Sequence, residues 1–147
     1  MGCWHGLWFG GCGMDARRRY AQAIGIEPRA DRRAMAGQNA LALGTPKMQL
    51  IEGAAPDVLN GLAAPDAIFI GGGLSEAVFE TAWQALKPLG RFVANAVTLE
   101  SETVLMALHA RHGGELVRLS VNRAEPVGPY RGWRPFMPVT QWSLIKR

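Results

Sequence analysis

The sequence predicts an α/β protein, a mostly parallel sheet covered by helices and finished by an antiparallel hairpin of strands. Three observations carry this. Apolar runs of strand length alternate with amphipathic helical stretches from Ala23 to Gly114. The alternation stops after Gly114, where two period-two segments follow with no helix between them. The chain has 147 residues, without an internal repeat or linker, so one domain over residues 1–147 is expected.

The opening stretch, "LWFGGCGMDARRRYAQAIGIEPRADRR" (Leu7 to Arg33), reads as a strand, a glycine-rich turn, a short helix and a second strand ending at Glu27. This first unit is short, and residues 1–22 are atypical of the rest. "DRRAMAGQNALAL" (Asp31–Leu43) is a helix with Gly44 as its stop. "MQLIEG" (Met48–Gly53) is a strand. "APDVLNGL" makes one or two helical turns with Pro56 early in them. "AIFIGGG" (Ala67–Gly73) is the clearest strand, closing in a glycine turn.

"SEAVFETAWQAL" (Ser75–Leu86) is the strongest helix. Ser75 caps it, Glu76 suits its positive end, and Val78, Phe79, Ala82, Trp83 and Leu86 share one face. "RFVANAV" (Arg91–Val97) is a buried strand. "ESETVLMALHARHGG" is a helix, acidic at its start and basic at its end. "ELVRLSVNRAEP" reads as one long strand. Val117, Leu119 and Val121 lie on one face of it, and Leu116, Arg118, Ser120 and Asn122 on a more polar one. "EPVGPYRGWRPFMP" reads as a loop. "VTQWSLIK" is a last strand with Thr140, Trp142 and Leu144 on one face. This layout is that of the Rossmann-like methyltransferases.

Composition excludes several function classes. Charged residues make up 19% of the chain, and no apolar run is long enough to span a bilayer. With no signal-peptide pattern in the first residues, a cytoplasmic protein is expected. The net charge of +4 comes from scattered cations, apart from Arg17, Arg18, Arg19 and then Arg29, Arg32, Arg33. They lack the aromatic alternation of a nucleic-acid platform, so no nucleic-acid partner and no membrane partner are expected. A solvated face is the plain reading, and an acidic small molecule near one edge the sharper one. Cys3, His5 and Cys12 lack a second ligand pair at metal-site spacing, so no metal is expected. A nucleophile elbow, a phosphate-binding loop with its lysine and the zinc-protease motif are all missing. No catalytic residue is assigned.

Five places suit a ligand. Gly10, Gly11 and Gly13, with Cys12 among them, make a turn whose backbone can approach a ligand closely, or an ordinary turn. Glu27 ends the second strand, where a carboxylate can accept hydrogen bonds from ribose hydroxyls; a surface Glu before Pro28 is the plain reading, and the glycine turn favours the ribose one. Ala54 and Ala55 leave room for a flat ring, or simply make a tight turn. Gly71, Gly72 and Gly73 make a floor over which a ligand can pass, and Asn95 near the end of the next strand either reaches the pocket edge or makes a structural hydrogen bond at the strand end. Arg131 and Arg134 flank Trp133, which suits an acid-bearing ring system, or a solvated loop with one anchoring Trp.

"AIGIEPRADRR", "AAPDAIFIGGGLS", "RFVANAVTLESE", "LHARHGGEL" and "AEPVGPYRGWRP" together resemble the C-terminal domain of the decarboxylating precorrin-6Y methyltransferases of cobalamin biosynthesis. The resemblance runs from about Ala23 to the C-terminus. It implies an S-adenosylmethionine-dependent enzyme that methylates the meso carbon between rings C and D of a precorrin and removes carbon dioxide from the ring C acetate. The partner is then a small tetrapyrrole; a homo-oligomer is left open. By position, Gly11 and Gly13 match the family's glycine turn, with Cys12 between them. Glu27 matches its ribose-binding acid, and Ala54 and Ala55 its adenine-side turn. Gly71 to Gly73 and Asn95 match its pocket floor and edge.

The chain departs from the family pattern in places. Ala54 stands where an acid is common. Trp8-Phe9 stands where the first strand usually carries an acid. The segment between the glycine turn and the second strand is shorter by roughly one to two helical turns. The helical lead-in and the separate N-terminal methyltransferase domain of the fused enzymes are also expected to be absent. A naturally trimmed site and a mistaken start or reading frame are both compatible with residues 1–22. Two other functions stay in view: methylation of another small molecule, and a Rossmann-like module that binds without catalysis.

Overall fold

A computed structural model of the protein describes residues 22–45, 47–59 and 61–147, and the backbone of residues 7–10. The elements are β1 (Leu7–Gly10), β2 (Ala23–Ile26), α1 (Ala30–Ala42), β3 (Gln49–Ile51), β4 (Ala67–Ile70), α2 (Glu76–Ala85), β5 (Arg91–Ala96), α3 (Leu99–His112), β6 (Glu115–Leu119), β7 (Asn122–Val127), β8 (Tyr130–Pro135) and β9 (Val139–Ile145). A short 3-10 turn, Asp57–Leu59, stands between β3 and β4.

Seven strands form one sheet in the order β3-β2-β1-β4-β5-β9-β6. Parallel pairs join β2 to β3 and β4 to β5; β9 runs antiparallel to both β5 and β6. Among the described strands of this sheet, β2, β3, β4, β5 and β6 therefore point the same way, and β1 and β9 run against them.

The core lies on one face of the sheet. Ile68, Ile70, Phe92, Ala94, Ala96, Trp142 and Leu144 project there and meet Phe79 and Ala82 of α2 and Leu105 and Leu108 of α3. Phe79 meets the Phe92 ring edge-on at 5.2 Å and the Trp142 ring at 5.4 Å. The Trp142 indole N–H, which has to be paired once buried, donates to the Gly113 carbonyl at 2.7 Å. Both helices are capped on this side. The Ser75 hydroxyl accepts from the Val78 amide at 3.2 Å, and the Thr98 hydroxyl from the Ser101 amide at 3.2 Å. The opposite face carries α1, where Gly37 lies beside Leu50 of β3. Helices on both faces are what the alternating pattern led us to expect.

Three expectations are corrected. The first strand runs antiparallel to both neighbours, with Leu7 opposite Ile26 and Ile70, and Gly10 opposite Ala23 and Ala67. Twelve residues, 11 to 22, separate β1 from β2. That is about the minimum for a parallel crossover, whereas an antiparallel return needs no such length. Second, the long strand read over 115–126 breaks at Ser120–Val121 into β6 and β7. On β6 it is Leu116 that pairs with Trp142 towards the core, while Val117 and Leu119 are exposed.

Third, the stretch read as a loop is a two-stranded ribbon, β7 against β8, turning at Gly128 with φ of 59°. Its prolines, Pro126 and Pro135, do not forbid it. Each strand of a two-stranded ribbon is an edge, so a residue without an N–H can sit on the outward side.

A candidate cofactor edge

Because β2, β3, β4 and β5 share a direction, the residues that follow them line one edge of the sheet. In open α/β sheets this carboxyl edge is where ligands bind. Glu27 follows β2, Glu52 to Ala55 follow β3, Gly71 to Gly73 follow β4, and Asn95 lies one residue before the end of β5.

Glu27 is the most constrained of them. It is a buried carboxylate, only 7% exposed. Its amide extends the β2–β3 ladder by donating to the Ile51 carbonyl at 3.2 Å. Pro28 then ends the strand, since it has no N–H to donate. The chain turns so that the Arg29 amide donates to Glu27 Oε1 at 3.0 Å. Among the described residues this is the one donor to the carboxylate, and Oε2 stands beside it as a further acceptor.

The guanidinium of Arg33 reaches the same place. It donates to the Glu27 carbonyl at 3.0 Å, to the Pro28 carbonyl at 2.9 Å and to Glu52 Oε2 at 2.7 Å. One side chain thereby ties the ends of β2 and β3 together. Arg29 pairs instead with Asp31 at 2.8 Å. That hydrogen bond holds the Asp31 carboxyl below the usual carboxylate range and raises Arg29 above its ordinary value. Both are exposed, so this pair is a solvated one.

The turn after β3 is set by Gly53, whose φ is 145°. A Cβ there would sit 2.2 Å from Val58 Cγ1, so the position admits only glycine. Ala54 beyond it is exposed, and Ala55 is half-buried against the core. After β4, Gly71 and Gly72 are half-buried; Gly73 is exposed at φ 75°, with open space where a Cβ would stand. Asn95 is half-buried, and Gln141 of β9 donates to its Oδ1 at 3.0 Å. Among the described residues its amide nitrogen has no acceptor.

Arg131, Trp133 and Arg134 lie on β8, in the separate ribbon. Arg131 and Trp133 share one face and Arg134 the other, where it pairs with Glu125 at 3.1 Å. Trp133 is 76% exposed. Arg131 and Trp133 therefore face away from Arg134, on a ribbon that leaves the sheet after the carboxyl end of β6 and returns to it at β9. Gly11, Cys12 and Gly13 lie outside the described residues, as do Cys3 and His5. Gly10, the last described residue of β1, is opposite Ala23 and Ala67, at the far end of the strands from Glu27 and Gly71.

A model of the precorrin methyltransferase domain matches residues 10–146. The chain belongs to the precorrin methyltransferase domain family. A decarboxylating precorrin-6Y C(5,15)-methyltransferase from Sinorhizobium sp is 55% identical over 126 residues, which are 85% of this chain and 30% of that protein. The chain thus spans about a third of the curated relatives it matches. The crystal structure of the C-terminal domain of precorrin-6Y C5,15-methyltransferase from Rhodobacter capsulatus superimposes with a TM-score of 0.75 at 50% identity, covering 84% of this chain and 67% of that one. A domain named as precorrin-6Y C5,15-methyltransferase from Corynebacterium diphtheriae gives 0.72 at 35% identity, covering 84% and 72%. The fold of this precorrin methyltransferase domain is thus the Rossmann-like methyltransferase fold. Among the described residues no helix is long and apolar enough to cross a membrane.

Arg33 is the residue that sequence reading missed. A signal was present. A cation in the first turn of a helix faces the positive end of the helix dipole, so it needs compensating partners.

Proposed function

We propose that this domain binds S-adenosylmethionine along the carboxyl edge of β2, β3 and β4, methylates a precorrin at the meso carbon between rings C and D, and releases carbon dioxide from the ring C acetate. The observation that carries the reading is Glu27, a buried carboxylate with one oxygen fixed by a backbone amide, at the strand end where such domains hold a ribose. Membership of the precorrin methyltransferase domain family supports it.

The edge residues fit the cofactor. Glu27 accepts from the ribose hydroxyls. Ala54 and Ala55 border the adenine without side chains that would obstruct a flat ring. Gly71 to Gly73 keep β4's end free of side chains, and Gly73 leaves open space above it. Asn95 offers its amide N–H groups to the substrate side of the edge. The bound cofactor would supply an electrophilic methyl group to the electron-rich tetrapyrrole carbon, with the methyl–sulfur bond breaking and S-adenosylhomocysteine leaving. The domain contributes alignment of the two, which can account for a large part of such a rate enhancement. Carbon dioxide would leave from the acetate as its bonding electrons flow into the macrocycle, and a proton taken up at the remaining carbon turns the acetate into a methyl group. No described side chain is assigned as a general base.

The test is mass spectrometry of a precorrin substrate incubated with the protein and S-adenosylmethionine. A gain of one methyl with loss of one carbon dioxide is the expected result. Methyl gain without carbon dioxide loss, or an unchanged substrate, contradicts the proposal.

A further inference from the structure

We propose that Arg33 is a positioning residue for the Glu27 carboxylate: its guanidinium fixes the backbone on which that carboxylate is mounted, and so sets the enzyme's discrimination for a ribose bearing free hydroxyls. The inference rests on the reading of Glu27 as the ribose acceptor.

Arg33 sits where a cation is disfavoured, in the first turn of α1, at the positive end of the helix. Its side chain is only 17% exposed, so it is not a solvated surface group. What holds it there is a set of three acceptors from two strand ends. They are the carbonyls of Glu27 and Pro28 and the carboxylate of Glu52. One terminal nitrogen of the guanidinium takes both carbonyls and the other takes the carboxylate; a lysine has a single nitrogen and no second one to span the two strand ends.

Beyond the ladder bond of its amide, two bonds then hold Glu27. Arg33 holds its carbonyl, and the Arg29 amide holds its Oε1. The first fixes the Glu27–Pro28 peptide and the second limits the rotation of the carboxylate. A carboxylate held in this way does not have to be ordered when ligand binds, which is the affinity gain of preorganisation. Removing the guanidinium frees the Glu27–Pro28 peptide while the carboxylate itself stays in the chain. The loss falls on whatever interaction needs the carboxylate in place, and the rest of the ligand is bound as before.

The experiment is calorimetry with two probes, S-adenosylhomocysteine and its analogue lacking both ribose hydroxyls, on the wild-type chain, Arg33→Met and Arg33→Lys. Wild type is expected to prefer the hydroxylated probe by roughly tenfold or more, as loss of bonds to a charged group implies. In Arg33→Met that preference falls to about threefold or less. Arg33→Lys recovers the melting temperature towards wild type but not the preference. Arg33→Met keeping the wild-type preference, or weakening both probes equally, overturns the inference. If Arg33→Met does not fold, Arg33→Lys decides: a wild-type preference in it overturns the inference. A wild-type chain that binds without preference instead sinks the role given to Glu27, and the inference falls with it.

Discussion

The Trp142 indole nitrogen donates to the carbonyl oxygen of Gly113 at 2.7 Å, joining the centre of β9 to the end of α3. Trp142 is fully buried, against Phe79 and Phe92. Trp142→Ala therefore removes both the bond and the largest buried ring of the aromatic core, and is expected to cost about 3–5 kcal/mol. Trp142→Phe keeps much of the packing. Gly113 is exposed, so its carbonyl can turn to water, and this variant should cost less, about 1–2 kcal/mol. Urea denaturation of the two variants checks the order. Equal losses would mean that the hydrogen bond, and not the ring packing, carries the effect.

Lys146 ends α2 from a distance in sequence. Its ammonium donates to the carbonyls of Trp83 at 2.6 Å, Gln84 at 3.2 Å and Leu86 at 2.6 Å. A cation at this end of a helix meets both unpaired carbonyls and the negative end of the dipole. Lys146→Met is expected to lower stability by about 1–2 kcal/mol. Thermal melts would then show a lower midpoint for Lys146→Met and a near wild-type one for Lys146→Arg. A melt of Lys146→Met that matches wild type would show that the three carbonyls are as well served by water.

The two helices β4-α2-β5-α3 build around were legible because several signals agreed there. Ser75 and Glu76 mark a start, the apolar spacing marks a face, and "AIFI" and "RFVANA" are apolar runs of strand length. The ribbon β7–β8 was not legible, because Pro126, Gly128, Pro129 and Pro135 are ordinary loop signals and only the pairing of two edges makes them compatible with strands. On β6 the more apolar set, Val117 and Leu119, is the exposed one; which face is covered depends on Trp142 of another strand, and no local pattern contains that. At the site, the position of Glu27 was legible. What holds it was not, because Arg33 acts on carbonyls, which a sequence does not display.

Asn95 separates a structural bond from a functional one. Its Oδ1 is taken by Gln141 across the β5–β9 pair, and the proposed function gives its amide nitrogen to the substrate. Asn95→Asp keeps the acceptor and loses the donor. It is expected to melt close to wild type while KM for the precorrin rises about tenfold. Asn95→Ala loses both, so it should also melt lower, by the equivalent of about 1 kcal/mol. Steady-state kinetics of Asn95→Asp with an unchanged KM would reduce Asn95 to the cross-strand bond.

The central claim is that Glu27 holds the cofactor through its ribose. Titration calorimetry of S-adenosylmethionine into wild type and Glu27→Ala tests it most directly. The account predicts binding to wild type and an affinity at least roughly tenfold lower for Glu27→Ala, as expected for losing hydrogen bonds to a charged group. Equal affinities, or no heat with wild type, would contradict it.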